Sequence, residues 1–229
     1  MTDRKRQPNG PIQAVLFDLD GTLVDTAPDM VAALQKLQRE RDAAPFDLEL
    51  ARANVSNGAA GLVRVAFPDV DDNIRADLHR AFLQIYQQQL CVRSRVFPGL
   101  DGLLAQLEQE RRPWGVVTNK PQALTDALLV ALQLTPRLAC AISGDTLPQR
   151  KPHPAPMLLA SRMLNVEPQH IVYVGDAARD IDAGRAAGMA TVAAAWGYIT
   201  EDDDPARWDA DHIARDPGEL TQLLAKELR

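Results

Sequence analysis

The sequence predicts an α/β fold, a doubly wound, Rossmann-like parallel sheet with a helical cap inserted near its start. Three observations predict it. Five short runs are apolar on both faces and end on turn residues, as strands of a covered parallel sheet do. Helical periodicities alternate with the strand-like runs from Pro98 to the end. Between the first run and the second, residues 27–95 show helical periodicity and no convincing strand.

Residues 1–11 are polar, carry the basic cluster Arg4-Lys5-Arg6, and read as a flexible tail. No apolar segment follows that cluster, so it does not read as a signal peptide. Ile12–Phe17 is the first buried strand. Met30, Ala33, Leu34 and Leu37, then Leu78, Phe82 and Ile85, mark helices of the insert. Leu100, Leu103, Leu104 and Leu107 have the i, i+3, i+4, i+7 spacing of a helix with one buried face. The strand Trp114–Thr118 follows, then a helix on Leu124, Ala127, Leu128 and Ala131, then the strand Ala139–Ser143. Met157, Ala160, Ser161 and Leu164 mark the next helix, and Ile171–Gly175 and Thr191–Ala195 the last two strands. Thr200–Asp209 is an acidic surface loop. Asp216 suits a helix N-cap and Pro217 the first turn of a closing helix. The division is an α/β core of residues 12–26 and 96–229, and a helical cap of residues 27–95.

The 229 residues are 46% hydrophobic and 24% charged, the balance of a soluble globular protein. A net charge of −6 favours neither nucleic acid nor an anionic membrane as partner, and no apolar run has membrane length. Cys91 and Cys140 are too few for a disulfide framework, sit in no metal-like spacing, and read as small hydrophobes. A cytoplasmic location is the default, as a monomer or a homodimer.

The chemistry begins in AVLFDLDGTLVDTAPDM, residues 14–30. Alternate residues of a strand point the same way, so Asp18 and Asp20 project together from the carboxyl end of the first strand. Ligands bind at that edge of open α/β sheets. Two carboxylates 4 Å apart repel by roughly 4 kcal/mol at an effective dielectric near 20. A proton or a hard divalent cation must offset that. The alternative for an isolated pair is a strand-end turn and a helix cap.

Four ordered segments remove the isolation. FDLDGTLVDT, VVTN (Val116–Asn119), KPHPAP (Lys151–Pro156) and VGDAARDIDAGRAAGM (Val174–Met189) resemble the four motifs of the haloacid dehalogenase-like hydrolases. The resemblance runs from about Ile12 to Leu220. It implies a phosphatase in which Asp18 is the nucleophile and Asp20 the general acid and base. It implies Mg2+ held by Asp18, Asp20 (through its backbone carbonyl), Asp176 and Asp180. Lys151 would offset charge, and Thr118, with backbone N–H groups near Leu19 and Asn119, would bind phosphate. Dehalogenating members of the family lack an acid at position 20, because halide leaves without a proton. Its presence points to a phosphatase or a phosphomutase.

The resemblance also implies that the insert is a lid reading the organic part of a small phosphorylated metabolite. Gly58 and Gly61 in SNGAAGLVRVAF (Ser56–Phe67) fall where such lids carry a substrate loop, with Leu62, Val63 and Ala66 as the buried stripe. Arg64 falls off that stripe and either reaches the site or faces solvent. Asn119 and Lys120 sit at the mouth beside phosphate or substrate. Arg93 and Arg95, at the return linker, are weaker candidates. Asp25 reads as a helix cap rather than a third catalyst. The chain resembles the phosphoglycolate phosphatase-like branch, and within it the N-acetylmuramic acid 6-phosphate phosphatases, which implies a role in peptidoglycan recycling. Phosphoglycolate is the alternative substrate; a phosphomutase and a non-catalytic relic are the alternatives in kind.

Overall fold

The computed structural model describes residues 11–227. The tail expected over residues 1–11 lies, apart from Pro11, outside them. In chain order the elements are β1 (Ala14–Phe17), β2 (Val24–Asp25), α1 (Ala27–Glu40), α2 (Leu48–Ala53), α3 (Gly58–Ala66), α4 (Asp72–Gln88) and β3 (Arg95–Val96). Then follow α5 (Leu100–Gln109), β4 (Trp114–Val117), α6 (Gln122–Ala131), β5 (Cys140–Ile142), α7 (Ala155–Leu164) and β6 (Ile171–Gly175). The chain closes with α8 (Ala178–Ala187), β7 (Ala190–Ala194), β8 (His212–Ala214) and α9 (Pro217–Glu227).

Six strands form one sheet in the order β5-β4-β1-β6-β7-β8, every neighbouring pair parallel. Counted within the sheet this is the Rossmann order 3-2-1-4-5-6, whose direction reverses between β1 and β6. The period-2 alternation of β1 assigns its two faces. Val15 and Phe17 join Leu100, Leu104, Leu124, Leu128, Leu220 and Leu224, from α5, α6 and α9. Ala14 and Leu16 join Met157, Ala160, Ala183 and Ala187, from α7 and α8. Both faces are therefore covered, which is why β1, β4 and β6 are apolar throughout. Cys140 is buried in the second layer, and its thiol is pushed up to about 11 by burial.

Helices α1–α4 lie between the first sheet strand and the second, as the periodicity predicts. α4 packs on α1 and α3. Their apolar faces (Leu34, Leu37, Leu62, Val63, Phe82) belong to the same cluster as the α5–α6–α9 layer. The chain leaves and returns through a two-residue antiparallel ribbon, Val24 against Val96 and Asp25 against Arg95. The sequence does not predict that ribbon, nor β8, an edge strand of three residues with Ile213 exposed. Asp216 accepts a hydrogen bond from the Glu219 N–H at 2.8 Å, the cap its position suggests. No helix among the described residues is long and apolar enough to cross a membrane.

Asp25 differs from expectation. It lies in β2, and the helix that follows is capped by Thr26 without a side-chain bond. Its carboxylate accepts both Arg52 Nη1 and Nη2 at 3.1 Å and the Tyr198 hydroxyl at 2.7 Å. Arg52 comes from α2 and also lies over the Tyr198 ring, 5.2 Å from its centroid. Asp25 is thus a latch between cap and sheet, neither a helix cap nor part of the acidic cluster described below. Beside it, buried Asp29 accepts the Arg93 N–H at 2.9 Å, and the Ser94 N–H and hydroxyl at 2.8 and 2.7 Å. Arg93 and Arg95 serve this linker: neither lines the cavity described below. Asp29→Ala strands those amides, at a cost of about 2 kcal/mol. For a chain of this size that lowers Tm by roughly 4–8 °C. Thermal melts of variant and wild type check it, and an unchanged Tm contradicts the clamp.

Candidate active site

Every sequence-predicted acid sits at the carboxyl edge of the sheet, where the strand order reverses. Asp18 follows β1, Asp176 follows β6, and Asp180 lies in the first turn of α8. Each of the three offers a carboxylate oxygen, and these oxygens lie within 4.8 Å of one another. All three side chains are buried. Glycine makes this density possible. Gly21 has φ +86°, and a Cβ there would lie 2.1 Å from Asp176 Oδ2; a Cβ on Gly197 would lie 2.2 Å from Asp176 Cβ.

Lys151 reaches the cluster from the loop before α7, where the Lys151–Pro152 peptide is cis. Its Nζ lies 2.7 Å from Asp18 Oδ1 and 2.7 Å from Asp180 Oδ1. Neither oxygen has another polar partner among the described residues. The ammonium also meets Val117 O at 3.0 Å and the Tyr173 hydroxyl at 2.9 Å, and that hydroxyl donates to Val117 O at 2.8 Å. Burial alone lowers the lysine pKa; Asp18 and Asp180 outweigh it and hold the pKa above its ordinary value. Asn119 fixes this lysine. Its side-chain amide donates to Lys151 O at 3.0 Å and its side-chain oxygen accepts the Lys151 N–H at 3.1 Å. That side chain is therefore committed to the backbone of Lys151.

Asp176 accepts the Thr22 hydroxyl at 3.2 Å, the Tyr198 N–H at 2.9 Å and the Ser56 hydroxyl at 2.5 Å. Burial, then the charges of Asp18 and Asp180, push it up to about 7 despite those donors. Burial likewise raises Asp180, against the pull of Lys151. Arg179, between the two acids in sequence, keeps a raised pKa through Asp180, Asp18 and Asp176 although burial opposes it. Its guanidinium donates to Ser56 O at 2.5 Å. This donor set fits a hard cation: three clustered carboxylates, two with oxygens that have only Lys151 as partner.

Asp20 stands slightly apart and opens on a cavity of about 340 Å³. Lys120 Nζ donates to both its oxygens, at 3.0 and 3.2 Å, and the Thr26 hydroxyl to Oδ1 at 2.6 Å. Lys120 thus pairs with Asp20 at the cavity wall. Of the phosphate and substrate residues singled out from the sequence, Gly58, Thr118, Asn119 and Lys120 line the cavity. Arg64 does not: it is exposed on α3, whose buried face is Leu62 and Val63 and whose first turn alone meets the cavity. The cationic side chains that do line it include Arg150 and Arg179, neither singled out from the sequence. Arg179 was legible in principle, because it lies within the acidic run Asp176–Asp180. Ser56 and Tyr86 were not, because their partners lie 120 and 34 residues away.

With that geometry in hand, the kinship of the chain is clear. Residues 15–194 match the family described as haloacid dehalogenase-like hydrolase. A phosphoglycolate phosphatase of Xanthomonas campestris pv. campestris is 45% identical over 213 residues, 93% of this chain and 96% of that one. An N-acetylmuramic acid 6-phosphate phosphatase of Pseudomonas putida is 40% identical over 218 residues, 95% of this chain and 98% of the other. The crystal structure of a predicted phosphoglycolate phosphatase from Haemophilus somnus superposes with a TM-score of 0.83 at 28% identity, covering 93% and 97% of the two chains. The chain belongs to the haloacid dehalogenase-like hydrolases. Within that family it is a phosphoric monoester hydrolase.

Lys151→Met removes the ammonium from two buried carboxylates and is expected to destabilise the metal-free protein by about 3–5 kcal/mol at pH 8. Without the ammonium, burial and Asp18 hold the Asp180 carboxyl further above its ordinary value. The loss is then full above that folded pKa and fades as pH falls toward the ordinary carboxylate range near 4. Urea unfolding in EDTA at pH 8 and pH 5 checks it. A loss that is equal at both pH values contradicts the charge pairing.

Proposed function

We propose that the chain is a Mg2+-dependent phosphatase of a phosphorylated sugar acid, with N-acetylmuramic acid 6-phosphate as substrate, acting in the cytoplasm in peptidoglycan recycling. One observation carries the substrate size. The cavity above Asp18 and Asp20 measures about 340 Å³ and is walled by Met30, Phe82, Leu83, Tyr86 and Leu124. That is the volume and lining of a site for a ring-sized ligand. A two-carbon acid would leave most of it as water. The second reading, phosphoglycolate, is favoured by the 45% identity to the Xanthomonas protein of that name.

The roles follow from charge and reach. Asp18 attacks phosphorus, the phosphorus–oxygen ester bond breaks, and Asp20 gives its proton to the departing alkoxide. A phosphoaspartate remains on Asp18. Asp20, now ionised, takes a proton from water, whose oxygen attacks phosphorus and restores the Asp18 carboxylate as phosphate leaves. Lys151 stabilises Asp18 and the incoming phosphoryl charge, and Thr118 donates to a phosphoryl oxygen. Asp18, Asp176, Asp180 and the Asp20 carbonyl are the ligands for Mg2+, which when bound neutralises phosphate charge and orients it. The cap and the apolar wall exclude bulk water.

Asp18→Asn is expected to lower phosphate release by more than about 1,000-fold while the protein stays folded. Retained turnover in that variant would sink the covalent mechanism. EDTA is expected to abolish activity and Mg2+ to restore it. Comparing kcat/KM for N-acetylmuramic acid 6-phosphate, phosphoglycolate and hexose phosphates tests the substrate. The amino sugar acid is expected to lead by about tenfold or more, roughly 1.4 kcal/mol. A lead for phosphoglycolate moves the assignment to the second reading and leaves the chemistry in place.

A further inference from the structure

Lys120 is buried, 7% exposed, and lines the same cavity as Lys151, but its charge is paired with Asp20 whereas that of Lys151 is paired with Asp18 and Asp180. All hydrogen bonds of its ammonium go to side chains at one spot. Nζ donates to Asp20 Oδ1 and Oδ2 at 3.0 and 3.2 Å and to the Tyr86 hydroxyl at 3.1 Å. It also lies 4.7 Å from the centroid of the Tyr86 ring. Three ammonium protons thus have three acceptors, two on the sheet side and one on the cap. Tyr86 belongs to α4, and its ring stacks on Phe82 at 6.2 Å between centroids, so its position moves with the cap.

We propose that Lys120 is a positioning residue for the acid and base Asp20, and that Tyr86 couples this positioning to the seating of the cap. The proposal rests on the phosphatase reading above. Asp20 Oδ1 takes the Thr26 hydroxyl as well as Lys120, whereas Oδ2 takes Lys120 alone. Oδ2 is therefore the oxygen left to carry a proton toward the leaving group in the cavity. Without the lysine, Asp20 keeps one tether, Thr26, about which the carboxylate turns. A misaimed acid slows departure of a strongly basic alkoxide and matters far less for p-nitrophenolate, which leaves without a proton. A phosphate-binding or purely structural lysine would affect both esters alike.

The test measures kcat/KM, which reports the steps through leaving-group departure. The full chain with Mg2+ is assayed on the preferred sugar phosphate and on p-nitrophenyl phosphate. Lys120→Met is expected to lose about 100-fold on the sugar phosphate and about tenfold or less on the aryl ester. Tyr86→Phe keeps the ring and removes only the acceptor. It is expected to lose about three- to tenfold on the sugar phosphate, with the aryl ester less affected. If Lys120→Met does not fold, Tyr86→Phe alone decides. Equal losses on the two esters, or no loss in either variant, overturn the proposal. Turnover of neither ester by the wild type overturns the phosphatase reading and this proposal with it.

Discussion

The constraint on which the site depends is a charge imbalance enclosed by the sheet edge. Asp18, Asp176 and Asp180 are buried together, and two cations, Lys151 and Arg179, face them. One net negative charge remains. Lys151 lies 2.7 Å from Asp18 and from Asp180 but is not paired with Asp176; burial and the charges of Asp18 and Asp180 push that carboxyl up to about 7. A divalent cation held there would reverse the sign of the cluster, as the proposed binding of a phosphate dianion requires. The neighbouring pair, Asp20 and Lys120, is balanced in itself and does not disturb that count. Glycine is required at 21 and 197 because the Asp176 side chain lies where their Cβ atoms would be.

The cap is bound into the same electrostatics. Its Ser56 hydroxyl bonds Asp176, its Ser56 carbonyl takes Arg179, its Tyr86 takes Lys120 and its Arg52 takes Asp25. Between these polar ties runs one apolar cluster from Leu34 through Phe82 to the α5–α6 layer. Burial of that cluster supplies the adhesion and the polar ties supply the register. A displacement of helices α1–α4 by a few ångströms would lose contacts to groups flanking both Asp18 and Asp20.

The central strands and all the acids of the cluster were legible in the sequence because both are local. A strand covered on two faces is a continuous apolar run, and Ala14–Phe17, Trp114–Val117 and Ile171–Gly175 are such runs. The acids follow those strands directly or within one helical turn. β8 was not legible, because an edge strand of three residues with an exposed Ile213 has no run to read. The partners of the acids were legible only in part. Lys151 lies in a local motif, but Ser56 reaches Asp176 across 120 residues and Tyr198 reaches Asp25 across 173. The sequence left Arg64 open between site and solvent, because a helical stripe gives the face of a residue and not the direction of the cavity; it is exposed, and the cavity meets only the start of α3.

Completion of the carboxylate cluster by a cation is tested most directly by Mg2+ affinity against pH. Burial, Asp18 and Asp180 hold Asp176 up to about 7, so its ionisation costs the metal-free protein stability as pH rises from the carboxylate range through about 7. Bound Mg2+ returns that stability, and below pH 7 it must first displace the proton. Calorimetric titration of the metal-free protein at pH 6, 7 and 8 is expected to give a dissociation constant that rises as pH falls, approaching tenfold per unit, with proton release to the buffer. An affinity unchanged between pH 6 and pH 8, or no binding at pH 8, would contradict it.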